Sequence, residues 1–206
     1  GNVAGDSDPN TAGERNATVI SAALDNASDT GTVGDNKTND ATPTISGSAP
    51  AGAAVQVQIK NAAGTVVATL TPTVQPDGTF AITTPSNLAD GTYTPVITVT
   101  PTSGSPSTVN GTPFTVDTQT RVNLSDAGTA GTRDPIIGTG EPGAVVVAKD
   151  ANGATIGSAT VDASGNWRIT PTANVPEGNV SVLATDAAGN VAGDSDPNTA
   201  GERNAT

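Results

Sequence analysis

Carboxylates are the only side chains of this sequence equipped for demanding chemistry. Its 206 residues include no histidine and no cysteine. That removes the commonest general base, the commonest transition-metal ligand and all thiol or disulfide reactions. Twenty acids stand against eight Lys and Arg, for a formal net charge of −12, and sixteen of the twenty are Asp. A solvated acidic surface uses Glu freely. Short carboxylates in Gly- and Asn-rich runs suit turns, and they equally suit oxygen ligation of a hard cation. The densest group is residues 24–40, LDNASDTGTVGDNKTND, where Asp25, Asp29, Asp35 and Asp40 stand beside Asn36 and Asn39. Clustered carboxylates repel one another, so such a group is costly without a cation. Calcium takes six to eight oxygens in irregular geometry, whereas magnesium keeps more of its water.

A second signal is Asp194-Ser195-Asp196-Pro197-Asn198, present again as Asp6 to Asn10. It opens like a D-x-D-x-N calcium loop, but it lacks Gly at the sixth position and puts Glu202 at the ninth rather than the twelfth. An EF-hand is therefore not supported. A looser calcium site, reached by Asp126, Asp134 and Asp150, stays open beside the plain reading of these residues as turn formers.

Other chemistry finds no support. There is no phosphate loop, zinc motif or Ser/His arrangement, and no carbohydrate-binding aromatics accompany any carboxylate pair that could act as a glycosidase. The four aromatics are Phe80, Tyr93, Phe114 and Trp167, and Phe80 and Trp167 read as core. The chain is expected not to be an enzyme. Its charge makes nucleic acid and anionic membranes poor partners. No apolar run approaches the roughly 20 residues of a membrane span, and no signal peptide is evident, so a soluble segment is expected. Matches to the N-glycosylation pattern, such as Asn26-Ala-Ser and Asn36-Lys-Thr, are what a Thr-rich chain produces by chance.

The elements that would position these acids are strands. In residues 53–60, AAVQVQIK, Val55, Val57 and Ile59 alternate with Gln56, Gln58 and Lys60, the period of a half-buried strand. Residues 65–70, 78–83, 92–100 and 112–116 read similarly, and so do 143–149, 155–161, 166–170 and 179–185. Asp77-Gly78, Asp90-Gly91, Asn110-Gly111, Asn152-Gly153 and Ser164-Gly165 punctuate them as turns. No helical period of useful length is present.

Two levels of repetition organise the strands. GNVAGDSDPNTAGERNAT occupies residues 1–18 and again 189–206, an offset of 188 residues. The chain therefore reads as one period of a longer tandem array. Within it, residues 44–52 align with 136–143, each followed by a strand, a hairpin, a second strand, a Gly turn and an aromatic, Phe80 or Trp167. The expectation is an all-β chain of two tandem immunoglobulin-like β-sandwich domains. Residues 1–15 would be a copy of the preceding repeat's last strand and linker, 16–117 the first domain, and 118–206 the second with its outgoing linker. The turn into the last strand is placed at 189–194 and the linker from 194.

Sandwich topology then places the acids. Residues 24–40 precede the second strand and fall at the pole where the chain leaves the first domain, with Asp90 close by and Asp117 in the linker. The second domain offers its turn Asp186-Ala187-Ala188-Gly189-Asn190, with Asp162 near another turn at the same pole. Up to eight carboxylates would converge on the seam. Residues 102–112 carry no carboxylate, so the two kinds of joint should differ, with the better site between the first domain and the second.

The run from Ser28-Asp29-Thr30-Gly31 through Gly34-Asp35-Asn36-Lys37-Thr38-Asn39-Asp40-Ala41-Thr42-Pro43 resembles the bacterial Ig-like repeats of giant secreted adhesins. These are the biofilm-associated and RTX-type surface proteins exported by type I secretion. Glu141-Pro142-Gly143, Ser164-Gly165-Asn166-Trp167 and Thr185-Asp186-Ala187-Ala188-Gly189-Asn190 carry the same resemblance. It implies a stalk of domains in series, stiffened by Ca2+ at the joints and holding a ligand-binding tip away from the cell. It also implies Asp29, Asp35, Asp40, Asp117 and Asp186 as ligands. The second domain departs from the pattern, because Arg133 stands in its shortened loop where it could partly replace a cation.

The expected function is a calcium-rigidified, non-catalytic extender of a bacterial cell-surface adhesin, extracellular. Its metal ligands would come from Asp25, Asp29, Asp35, Asp40, Asp90, Asp117, Asp126, Asp186, Asp194 and Asp196. Its partners are neighbouring repeats of the same chain, and the adhesion ligand binds elsewhere. The alternative is an Ig-like module that itself binds a glycan or host protein; a third reading is a laterally assembling surface-layer subunit.

Overall fold

A computed structural model of the protein describes residues 19–198. The strand copy expected at 1–15 and the linker beyond residue 198 lie outside the described residues. Among the described residues every regular element is a strand. In chain order they are β1 (Ser21–Leu24), β2 (Lys37–Thr38), β3 (Thr44–Ser48), β4 (Ala54–Asn61), β5 (Val66–Leu70), β6 (Thr79–Thr83), β7 (Gly91–Thr100), β8 (Ser107–Asn110), β9 (Phe114–Val116), β10 (Val122–Asp126), β11 (Ile136–Gly140), β12 (Val145–Lys149), β13 (Thr155–Thr160), β14 (Asn166–Ile169), β15 (Gly178–Thr185) and β16 (Val191–Asn198). The fold is all-β, as the alternating sequence requires.

The strands belong to two compact units that are not contiguous in sequence. Among the described residues the first comprises 19–25 together with Thr44–Pro85 and Thr92–Pro113. In it β1, β3 and β6 form one antiparallel sheet, while β4 pairs with β5 and β7, and β7 with β8. Alternation works as read: Val55, Val57 and Ile59 are buried, and across the sheet Val55 stands opposite Val99 and Val57 opposite Ile97.

The second unit comprises Asn26–Pro43, Ser86–Gly91 and the described residues from Phe114 to Asn198. Here β10, β11 and β14 form one sheet, and β13, β12, β15 and β16 the other. The core between them is Ile136, Val146, Trp167, Ile169, Val175 and Val180. β2 pairs in parallel with β9, Lys37 against Thr115 and Thr38 against Val116.

Two of the four aromatics, Phe80 and Trp167, are each seated on a glycine in the adjacent strand. Phe80 lies opposite Gly47 and Trp167 opposite Gly138. A Cβ on Gly47 would come within 2.6 Å of the Phe80 ring, and one on Gly138 within 2.4 Å of the Trp167 ring. The Trp167 indole N–H donates to Thr139 O at 3.0 Å, which satisfies its one polar atom.

One sequence expectation is corrected. Residues 194–198 are strand, not linker, because β16 pairs with β15 over its whole length, from Val191 against Thr185 to Asn198 against Gly178. Residues 102–112 contain β8, whose four exposed residues carry no alternation to betray it.

Candidate metal centre

The second unit gathers the loop 26–43, the turn 86–91, residues 117–118 and the turn 186–190. Two devices bind the loop to the last turn. The Thr30 hydroxyl donates to Ala188 O at 2.6 Å, and Thr32 N donates to Ala187 O at 2.9 Å. Between these bonds Gly31 lies backbone to backbone on the turn: a Cβ there would fall 2.3 Å from Ala187 O, and its φ is +67°. Only glycine permits this approach at that dihedral.

The same framework positions residue 117. Thr115 N donates to Asn36 O at 2.9 Å and Asp117 N to Thr38 O at 2.8 Å, extending the parallel pairing of β2 and β9. Asp90 Oδ1 accepts Thr118 N at 3.0 Å and the Thr118 hydroxyl at 2.8 Å. Asn190 ties the ends together. Its Nδ2 donates to Asp117 O at 2.7 Å and to Asp186 Oδ2 at 2.8 Å, while its N donates to Asp186 Oδ1 at 2.9 Å.

The outcome is a triad of acids, Asp117, Glu141 and Asp186, each offering an oxygen within 4.8 Å of the others. Asp186 is 9 % exposed, and the other two are half-buried. Burial, and then the charge of Asp186, pushes the Asp117 carboxyl above its ordinary value. Burial, and then Asp117, pushes Glu141 up as well. Both shifts record negative charge held together with too little water or positive charge to offset it. Three carboxylates at this spacing, with backbone carbonyls nearby, form an oxygen-rich set of the kind that holds a hard divalent cation.

Two residues of the triad, Asp117 and Asp186, are among those the sequence singles out; Glu141 is not. It follows β11 at the head of a turn, its carbonyl accepting Ala144 N at 3.1 Å. The glycines beneath Phe80 and Trp167 align the repeats so that Glu141 stands where the first has Pro50, whose carbonyl accepts Ala53 N in the same way. A carboxylate replacing a proline between aligned repeats is the signal that would have found it.

The remaining candidates lie as follows. Asp29 is buried, at 7 % exposure, with Oδ2 accepting Gly34 N at 2.6 Å and Oδ1 without a hydrogen-bond partner. Asp35 accepts Lys37 N at 3.0 Å, and Asp40 accepts Thr42 N at 2.8 Å, each closing a local turn. Asp25 belongs to the first unit, where it borders a hollow with Ser46, Gln75 and Thr79. Asp126 accepts Gly128 N at 2.8 Å, and Asp162 accepts Ser164 N and Asn166 N at 2.9 Å. Asp194 and Asp196 are strand residues of β16. Asp194 Oδ2 accepts Leu124 N at 2.8 Å, beside the irregularity in β10 between Leu124 and Asp126.

Comparison with known proteins gives matches over both halves. A family model described as Bacterial Ig-like domain matches residues 16–118, and one described as Bacterial Ig domain matches 117–200. No curated protein matches the chain. Among solved structures it is similar to the tetra-tandem repeat in the extending region of a large adhesion protein, at 26 % identity, 89 % of this chain, 49 % of that one and a TM-score of 0.37. It is also similar to the BSP domain of a biofilm associated protein, at 24 % identity, 80 % of this chain, 28 % of that one and a TM-score of 0.36. A third is the fibronectin(III)-like modules of Clostridium thermocellum CbhA, at 18 % identity, 84 % of this chain, 90 % of that one and a TM-score of 0.38. The chain spans about half the length of the first and under a third of the second.

Proposed function

The chain belongs to the bacterial Ig-like domain family, and from that premise we propose that it is a non-catalytic extender of a bacterial cell-surface adhesin, stiffened by calcium. The observation that carries the proposal is the triad Asp117, Glu141 and Asp186, with oxygens within 4.8 Å of one another. Its three members come from the segment after β9, the turn after β11 and the turn after β15. A cation there joins three separate stretches of chain, and through Asn190 and Gly31 it also fastens the loop 26–43. The repeated eighteen residues support an array of such modules. In this reading the partners are neighbouring repeats, the location is extracellular, and the ligand-binding region lies elsewhere in the parent protein.

Extracellular calcium modules have dissociation constants of roughly 10⁻⁴–10⁻³ M. A hundredfold excess of calcium adds about 2.7 kcal/mol per site to folding. Where calcium is scarce, the triad repels itself and the module is loosened.

Calorimetry in calcium and in chelator tests the binding, and small-angle scattering under the same two conditions tests the stiffening. Calcium should raise the melting temperature and sharpen the distribution of maximum dimensions. An unchanged melting temperature together with an unchanged scattering profile rejects the proposal.

A further inference from the structure

One sheet of the second unit has an outer face that the fold does not require. On the side of β12, β15 and β16 turned away from the core stand Val145, Val147, Leu183 and Val191. Val145, Leu183 and Val191 are 46 %, 44 % and 58 % exposed. Hydroxyl side chains and a single charge, Lys149, surround them. No carboxylate joins them, although the chain carries a net charge of −12. Asp194 and Asp196 alternate to the opposite face of β16, where Leu124 N donates to the Asp194 carboxylate at 2.8 Å.

The first unit supplies the control. The alignment that sets Glu141 against Pro50 also sets Val147 against Gln56, Leu183 against Thr98 and Gly193 against Thr108. There the cross-strand pair is two threonines whose hydroxyls share a hydrogen bond at 3.0 Å. In the second unit it is a leucine beside a glycine. Nor does the backbone demand that glycine: a Cβ on Gly193 would meet nothing nearer than Val182 O at 3.4 Å and Leu183 Cδ1 at 3.6 Å. Beside it lies a hollow of about 530 Å³, bordered by Val147, Lys149, Ser181, Leu183 and Ser195.

We propose that this face packs on the same face of a second copy of the chain, about a two-fold axis running parallel to the strands between β15 and β16. Leu183 and Gly193 stand directly opposite each other. That axis therefore sets the Leu183 of each copy over Gly193 of the other, the self-complementary fit of a two-fold interface. Charge selects the partner. A basic protein is drawn to the carboxylates elsewhere on the surface, and an acidic one gains only a lone lysine. Two copies of an acidic chain can meet where neither presents an acid, and an apolar patch ringed by polar groups gains by being covered. An array of repeats presents the face once per period, so weak pairing of single modules adds up between neighbouring arrays. The face includes no residue of the acid triad.

The test is sedimentation of the whole chain from micromolar to millimolar concentration. The average mass should climb toward that of a dimer, and Val147→Gln/Leu183→Thr should weaken the association at least about tenfold. The first unit folds with those residues at the equivalent positions, so the variant should keep the parent's melting temperature. Gly193→Asp fills the hollow and sets a charge in it, and should abolish the dimer. Location is read from two single-cysteine variants, the chain having no cysteine of its own. As concentration rises, the thiol of Ser195→Cys should become protected from alkylation, while that of Thr108→Cys, on the equivalent face of the first unit, should stay reactive. A chain that is monomeric throughout assigns the face to a different partner and overturns the inference. So do dimers that persist in both face variants, and a Ser195→Cys thiol no better protected than that of Thr108→Cys.

Discussion

Replacing Glu141 by glutamine should change the sign of its effect with calcium. Glu141→Gln keeps the shape of the side chain and removes one charge from a triad whose oxygens lie within 4.8 Å of one another. At that separation two unit charges repel by about 0.9 kcal/mol in water and about 3.5 kcal/mol at an effective dielectric constant of 20. Glu141 and Asp117 are half-buried and Asp186 buried, so the real value lies between these limits. Relief of the two repulsions that Glu141 makes is expected to stabilise the calcium-free protein by about 1–3 kcal/mol. In calcium the same substitution removes a ligand, and each tenfold loss of affinity takes about 1.4 kcal/mol from the bound state.

The assay is a pair of melting curves for each protein, in chelator and in millimolar calcium. For a chain of this size 1 kcal/mol corresponds to about 2–4 °C. Glu141→Gln should melt above the parent in chelator and gain less than the parent from calcium. A variant that melts below the parent in chelator, or gains as much from calcium, refutes the reasoning: the triad would then be neither electrostatically strained nor the calcium site.

Three further expectations follow from the same geometry. Gly31→Val puts a side chain 2.3 Å from Ala187 O at φ +67°; it should cost on the order of 2–3 kcal/mol and expose the Thr32 amide to hydrogen exchange. Asp194→Ala leaves the Leu124 amide without its carboxylate acceptor and should lower the urea midpoint by an amount equivalent to about 1–3 kcal/mol, equally with and without calcium. The third concerns pH. Asp117 and Glu141 are pushed above their ordinary values in the folded protein, so the folded state holds their protons more tightly than the unfolded chain. Their contribution is fully present below the ordinary carboxylate range and is lost as pH rises through the raised values. In chelator, the stability of the parent relative to Glu141→Gln should fall as pH rises above the ordinary carboxylate range, as urea midpoints would record.

The fold was legible wherever burial alternates. Val55, Val57 and Ile59 announce β4, and the glycine turns bound the hairpins. β2 escaped because two residues carry no period, and β8 because all four of its residues are exposed. The continuation of β16 past Asp194 escaped for a different reason. Gly193, Asp194, Asp196 and Pro197 are poor strand formers, and they are strand here because β15 supplies the pairing and Leu124 N engages the Asp194 carboxylate. Tertiary context overrides local preference there. Of the triad, Asp117 and Asp186 were reachable from strand topology. Glu141 was hidden in a Glu-Pro-Gly turn that has an ordinary structural use.

Asp186 shows why local sequence cannot separate a turn-closing carboxylate from a ligand. Asp150 accepts the amides two and four residues on, Asn152 N and Ala154 N, and Asp162 does the same with Ser164 N and Asn166 N. Asp186 also accepts the amide four residues on, from Asn190. The turn chemistry is shared; the difference lies in what arrives from elsewhere in the chain, since only Asp186 of these three belongs to the triad with Asp117 and Glu141. A carboxylate has about four lone-pair sites, so closing a turn leaves capacity for a cation. Asp162→Asn and Asp186→Asn should therefore part company in one measurement. Asp162→Asn retains an oxygen for both amides and should leave the calcium-induced rise in melting temperature unchanged. Asp186→Asn should cut that rise at least by half, whatever it does to the calcium-free protein. Equal calcium responses in the two variants would mean that Asp186 is a turn former like the others, and that gathering three acids there does not bind the ion.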